Sequence, residues 1–154
     1  MPEGEIQVDD PRAADVRELL ERHLAFTDAT SPPEDMHALD VEALAGPGVT
    51  FFSFRRHGVV LGVAALKELD ADHAEVKSMH TAEAARGRGI GRAMVAHLIA
   101  VARQAGLRRL SLETGSGAAF APARALYEES GFTPCGPFGD YRPSINSTFM
   151  TRAL

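Results

Sequence analysis

The plainest chemistry in the chain lies between positions 86 and 92, where Gly87, Gly89 and Gly91 alternate with Arg86, Arg88 and Arg92 around Ile90. Glycine removes side-chain bulk from a turn, so backbone N–H groups at the start of a following helix lie open to an anion. The arginines add charge-assisted donors suited to phosphate oxygens. The turn is expected to hold a pyrophosphate. Two commoner phosphate loops fail on spacing. A P-loop closes with Lys-Ser or Lys-Thr, and a dinucleotide fingerprint needs a third glycine where Arg92 stands. A tight turn with no ligand would also use three glycines, but its arginines would then only repel one another.

A strand and a helix must position this turn. Ala74–Thr81 reads as a strand before it, and Ile90–Ala105 as an amphipathic helix after it, with Ile90, Met94, Leu98, Val101 and Ala105 on one stripe. Gly106 stands where a left-handed C-terminal cap belongs. Upstream, Glu5–Asp9 alternates as a first strand, and Asp10-Pro11 looks like the cap of a helix carrying Val16, Leu19, Leu20 and Leu24. Ser31-Pro32-Pro33-Glu34 offers a second helix start, and Leu39, Val41 and Leu44 a short helix ending by Gly46-Pro47-Gly48. Val49–Arg56 and Val59–Leu66 flank His57-Gly58 as a hairpin. Downstream come strand Leu110–Glu113, loop Thr114–Ala119, helix Pro122–Ser130, and short strands Phe132–Cys135 and Ser147–Arg152. This order predicts an α/β chain with a mixed sheet and helices on its faces.

Composition limits the function. The chain has 154 residues, 45% hydrophobic and 24% charged, which suits one soluble globular domain. A net charge of −5 argues against a general nucleic-acid or anionic-membrane binder. Neither nucleic acid nor membrane is expected as a partner. The single cysteine, Cys135, excludes an internal disulfide and a cysteine metal cluster, and the scattered histidines show no ligand spacing. No metal is expected. An acidic, polar start and no apolar run near the ~20 residues that span a bilayer make a cytoplasmic setting the default.

Arg86-x-x-Gly89-x-Gly91 between strand and helix resembles the R/Q-x-x-G-x-G/A signature of the GNAT superfamily of acyl-CoA-dependent N-acyltransferases. Ala74–Thr81 is similar to that family's splayed central strand. Leu126-Tyr127-x-x-x-Gly131-Phe132 is similar to its later helix-and-strand motif. The chain also resembles a bacterial branch with S-P-P-E-x-x-H-A-L-D, L-E-T-G and C-G-P-F-G-x-Y, here Ser31–Asp40, Leu112–Gly115 and Cys135–Tyr141. Members of that branch are linked by name to indole-acetate metabolism, which transfers no substrate. The resemblance implies a single N-acetyltransferase domain over 1–154, with a mostly antiparallel mixed sheet. It implies acetyl-CoA as co-substrate and direct attack by a small-molecule or protein amine, with no acyl-enzyme.

The resemblance also distributes roles. Arg86, Gly87, Arg88, Gly89, Ile90, Gly91 and Arg92 should hold the pyrophosphate. Backbone groups of Met79, His80 and Thr81 should pair with the pantetheine arm, one N–H polarising the thioester carbonyl. Glu75 is the first choice for general base and Tyr127 for the acid that protonates the leaving thiolate. Glu75 could instead simply pair with Lys77, and Tyr127 could be core. His80, His37 and Glu113 are reserve bases. On an ideal strand His80 points away from the face of Glu75 unless the strand bulges. The family often has asparagine at the position of Phe120, so here an aromatic ring would line the arm or the acceptor pocket. His37 and Glu113 are expected on the acceptor side, near His23, Phe26 and the segment to Asp40. An inactive acyl-CoA-binding module of the same fold is the alternative to an enzyme, and a homodimer is left open.

Overall fold

A computed structural model describes residues 3–30 and 41–154. Strand β1 (Glu5–Val8) precedes helix α1 (Ala14–Thr30) and the short α2 (Val41–Leu44). Strands β2 (Val49–Arg56), β3 (Val59–Glu68) and β4 (His73–Thr81) lead to α3 (Ile90–Gln104). Then follow β5 (Arg109–Gly115), α4 (Ala121–Glu129), β6 (Thr133–Cys135) and β7 (Ser147–Ala153). The helix start at Ser31–Glu34, Leu39 and the whole Ser31–Asp40 motif lie outside the described residues.

The strands form one sheet in the order β1-β2-β3-β4-β5-β7-β6. Every pairing is antiparallel except β4 with β5. His57 and Gly58 both take positive φ (50° and 78°), the twist that a two-residue hairpin between right-twisted strands requires. Helix α1 starts later than its Asp-Pro signal. The Asp10 carboxylate instead accepts from Arg12 N–H at 2.9 Å, and the first helical bond runs from Arg17 N–H to Ala13 O at 2.8 Å. Strand β5 continues through Thr114 and Gly115, read from sequence as loop, because β7 offers partners as far as Gly115↔Ser147.

Alternation along the strands divides two cores. Phe52, Phe54, Ala64, Leu66, Val76, Leu110 and Leu112 face α3 and α4, meeting Ile90, Met94, Leu98 and Tyr127. Phe51, Val63 and Ala65 face the other way, against Val16, Leu19, Leu20 and Leu44 of α1 and α2. Arg55 also ties α1 to the sheet: it reaches Asp9 on one side (2.9 Å) and Asp15 on the other (2.6 Å).

Candidate active site

Strands β4 and β5 pair only from His73↔Arg109 to Glu75↔Ser111 and then diverge. The β4 edge beyond Glu75 is left without a strand neighbour on that side. A cleft of about 730 Å³ occupies the gap, within the ~300–1,000 Å³ common for ligand sites. Its wall runs from Arg86, Gly87, Gly89, Ile90, Gly91 and Arg92 at the start of α3, past Met79–Thr81 and Tyr127, to Glu75, Lys77, Glu113 and Tyr141. The opening therefore joins the two faces of the sheet.

The α3 end behaves as its glycines require. Gly87 and Gly89 have φ of 79° and 82°, and Gly89 caps the helix with no side-chain hydrogen bond. The first N–H groups of α3 have no intrahelical acceptor and face the cleft mouth. Gly91 lets α3 lie close to α4: a Cβ there would meet Leu126 Cδ2 at 3.0 Å, so the leucine would have to give slightly. Arg86 is exposed and lines the cleft, whereas Arg88 does not line it. Arg92 lines it too, with its guanidinium paired to Glu129 at 2.5 Å.

The other end depends on an irregularity in β4. Val63 pairs with His80 and Ala65 with Lys77, so two steps along β3 match three along β4. Ser78 takes the extra step at φ 54°, rare for a non-glycine residue and typical of a bulge. The bulge restores His80 to the face of Glu75 and Lys77. The strand is therefore not ideal here, and the exception allowed for a bulge is the case that applies.

Glu75 is 3% exposed and Lys77 9%. Their charges pair at 3.4 Å between Nζ and Oε2, so the Glu75–Lys77 contact foreseen from the sequence is present. The Tyr141 hydroxyl donates to the same Oε2 at 2.5 Å. Glu113, half-buried on β5, accepts from Ser147 Oγ at 2.7 Å. His37 lies outside the described residues. The sequence did not mark Tyr141 as a site residue, although it closes the Cys135–Tyr141 motif and sits on a glycine- and proline-rich loop.

His80 stacks near His23 of α1, ring centroids 4.8 Å apart. Burial pushes His23 down to about 4; burial first, then repulsion from His23 when that ring is protonated and from Arg86 and Arg22, pushes His80 down to about 3. Both are neutral at pH 7 in the fold, while the unfolded chain protonates them below about 6.5. Their contribution to stability is therefore full above pH 6.5 and is lost as pH falls toward 4. Between pH 7 and pH 5 each should cost at most ~2 kcal/mol. Urea unfolding at the two pH values should show this loss, reduced in His23→Phe.

Tyr127 on α4 is 6% exposed, and among the described residues nothing hydrogen-bonds its phenol. Burial holds its pKa well above the ordinary phenol value. Its ring meets Phe132 edge-on at 5.8 Å. Phe120 lines the cleft and lies directly over Gly115, where a Cβ would fall 2.1 Å from its ring. The glycine of Leu112–Gly115 is thus the seat of this aromatic. Cys135 is half-buried, with its thiol pushed up by burial. Among the described residues no group of three or more His, Cys, Asp or Glu side chains could hold a metal, and no helix is long and apolar enough to cross a membrane.

A sheet opened between two parallel strands, with an uncapped helix start at one end of the gap and ionisable groups at the other, offers two substrates one cleft in which to meet. The chain belongs to the acetyltransferase (GNAT) family, whose sequence pattern matches residues 13–132. It is 46% identical over 149 residues to an uncharacterized N-acetyltransferase of Bacillus subtilis, YsnE, covering 97% of this chain and 99% of that one. It is 37% identical to an IAA acetyltransferase of Azospirillum brasilense, over 100% of both chains. A GNAT family acetyltransferase from Elizabethkingia anophelis, solved with acetyl-CoA bound, shares the fold with a TM-score of 0.71 over 98% of each chain at 18% identity. The protein is an acyl-CoA-dependent N-acetyltransferase.

Proposed function

We propose that the protein transfers acetyl from acetyl-CoA to a primary amine of a small molecule or protein, by direct attack in the gap between β4 and β5. The observation that carries this reading is the single cleft joining the glycine turn to Glu75 and Glu113. The residues present fit the cofactor: an uncapped helix start with two left-handed glycines for the pyrophosphate, and an unpaired β4 edge for an extended arm. When bound, acetyl-CoA supplies an activated thioester and a thiol leaving group. The amides of Gly87–Arg92 and the Arg86 guanidinium would hold its phosphates. Backbone groups of Met79, His80 and Thr81 would align the arm, one N–H facing the carbonyl oxygen. Phe120, which lines the cleft, would wall the arm.

Glu75 would take the proton of the amine, directly or through water, and Tyr127 would return one to the departing sulfur. Glu113 and His80 share the acceptor face and remain the reserve bases. His37 stays a substrate-side proposal from sequence. No observation favours an inactive binding module.

The test is a panel of amino acids, polyamines, amino sugars and peptide N-termini with acetyl-CoA, following thiol release. IAA, named in one relative, is included. Cys135 is the chain's only thiol, so the protein background is at most one equivalent. One amine class should release thiol and gain acetyl in equal amounts. Binding of acetyl-CoA with no turnover on any amine would support the inactive module instead.

A further inference from the structure

The loop between β6 and β7, residues 136–146, carries Tyr141, which no role above uses. Its ring is wedged between Phe138 (centroids 5.2 Å apart) and Phe149 of β7 (5.5 Å). Phe138 also contacts Phe149 at 5.9 Å and His73 at 5.8 Å. A turn fixes the backbone, with Tyr141 N–H donating to Phe138 O at 3.1 Å. Thus held, the phenol crosses from β7 to β4, over the region where β5 and β4 have parted. There it meets Glu75 at the last paired position of β4 with β5.

The chemistry of the donors sets the direction of this contact. An ammonium only donates, so the 2.8 Å bond between Lys77 Nζ and Tyr141 Oη uses the phenol as acceptor. The phenol's one hydrogen is then committed to Glu75 Oε2. The chain of donors runs Lys77 to Tyr141 to Glu75, with Lys77 also 3.4 Å from the same carboxylate oxygen. Burial and the charge of Glu75 raise the phenol far above its ordinary pKa, so it stays a donor through the neutral range. Glu113 of β5 adds to that rise, and His80 shares the face.

We infer that Tyr141 is a positioning residue for Glu75, fixing one carboxylate oxygen from a loop anchored on the far strand so that the carboxylate meets the acceptor amine in one orientation. This rests on Glu75 being the base. The aromatic wedge explains why a tyrosine ends the Cys135–Tyr141 motif: Phe138 seats the ring, and the hydroxyl does the positioning. A buried carboxylate that has lost one of two fixed donors samples other orientations, which lowers turnover more than binding.

The experiment compares Tyr141→Phe, Glu75→Gln and the double variant with acetyl-CoA and the best amine of the panel. Phenylalanine keeps the ring packing, and circular dichroism with acetyl-CoA affinity checks that the fold and cofactor end are intact. Tyr141→Phe should lower kcat about 10-fold, with acetyl-CoA affinity within about 2-fold and a displaced pH–rate midpoint. In the Glu75→Gln background the same change should matter less than about 2-fold, because the two groups act as a unit. Unchanged kcat and pH profile in Tyr141→Phe, or an equal loss in both backgrounds, overturns the positioning role while leaving the base reading intact. Full activity in Glu75→Gln overturns the base reading and the positioning role with it.

Discussion

Glutamate in place of Gly89 is expected to raise the Kd for acetyl-CoA by at least about 100-fold. Two effects act together. Gly89 sits at φ 82° as the cap of α3, and a side chain there brings ~1–2 kcal/mol of left-handed strain. The new carboxylate would also stand at the helix start, where the peptide dipoles and the arginines favour a negative ligand and a second anion is repelled. The control is Gly106→Glu at the other end of the same helix. Gly106 has φ 81°, so it suffers similar strain away from the anion site and should bind acetyl-CoA as the parent does. Titration calorimetry of both variants separates the effects. Normal binding by Gly89→Glu would remove the phosphate assignment.

Tyr127→Phe is expected to lower kcat about 100-fold, the usual scale for losing a positioned acid. Acetyl-CoA affinity should stay within a few-fold. The fold should barely notice: the ring keeps its contact with Phe132, and no hydrogen bond within the described residues is lost. The sign of the pH effect follows from burial, which raises the phenol above its ordinary value. The phenol remains protonated, and able to donate, throughout the neutral and mildly alkaline range. Rates of the parent enzyme should therefore show no alkaline fall from Tyr127 below about pH 10. Steady-state kinetics from pH 6 to 10 on both proteins decide the matter. Equal kcat would make Tyr127 an aromatic of the core and leave the leaving thiolate to another donor.

Much of the framework was legible because it rests on local rules. Helix α3 and its left-handed ends at Gly89 and Gly106 follow from glycine's freedom and a period of 3.6. The His57-Gly58 hairpin follows from the twist its strands demand. Matters that depended on a competing partner were harder. Helix α1 begins at Ala14 because Asp10 turns its carboxylate onto Arg12. Strand β5 outruns its apparent end because β7 lies beside it. Phe120 could be seen to stand where the family often has asparagine, but not that it rests on Gly115, five residues back.

The site divides in the same way. The sequence alone marked the glycine turn as a candidate anion site, since glycine spacing is a property of a local stretch, and its resemblance to family motifs marked Glu75 and Tyr127 as candidates. It also determined which residue types each strand presents, but not the face that each one meets. That was decided in the tertiary structure, where one bulged residue at Ser78 turned His80 to the side of Glu75. Likewise, only folding brought Tyr141 to Glu75 across a separation of 66 residues. Register between strands and contact between distant loops are set by the partner a segment finds. No periodicity within the segment itself encodes that partner.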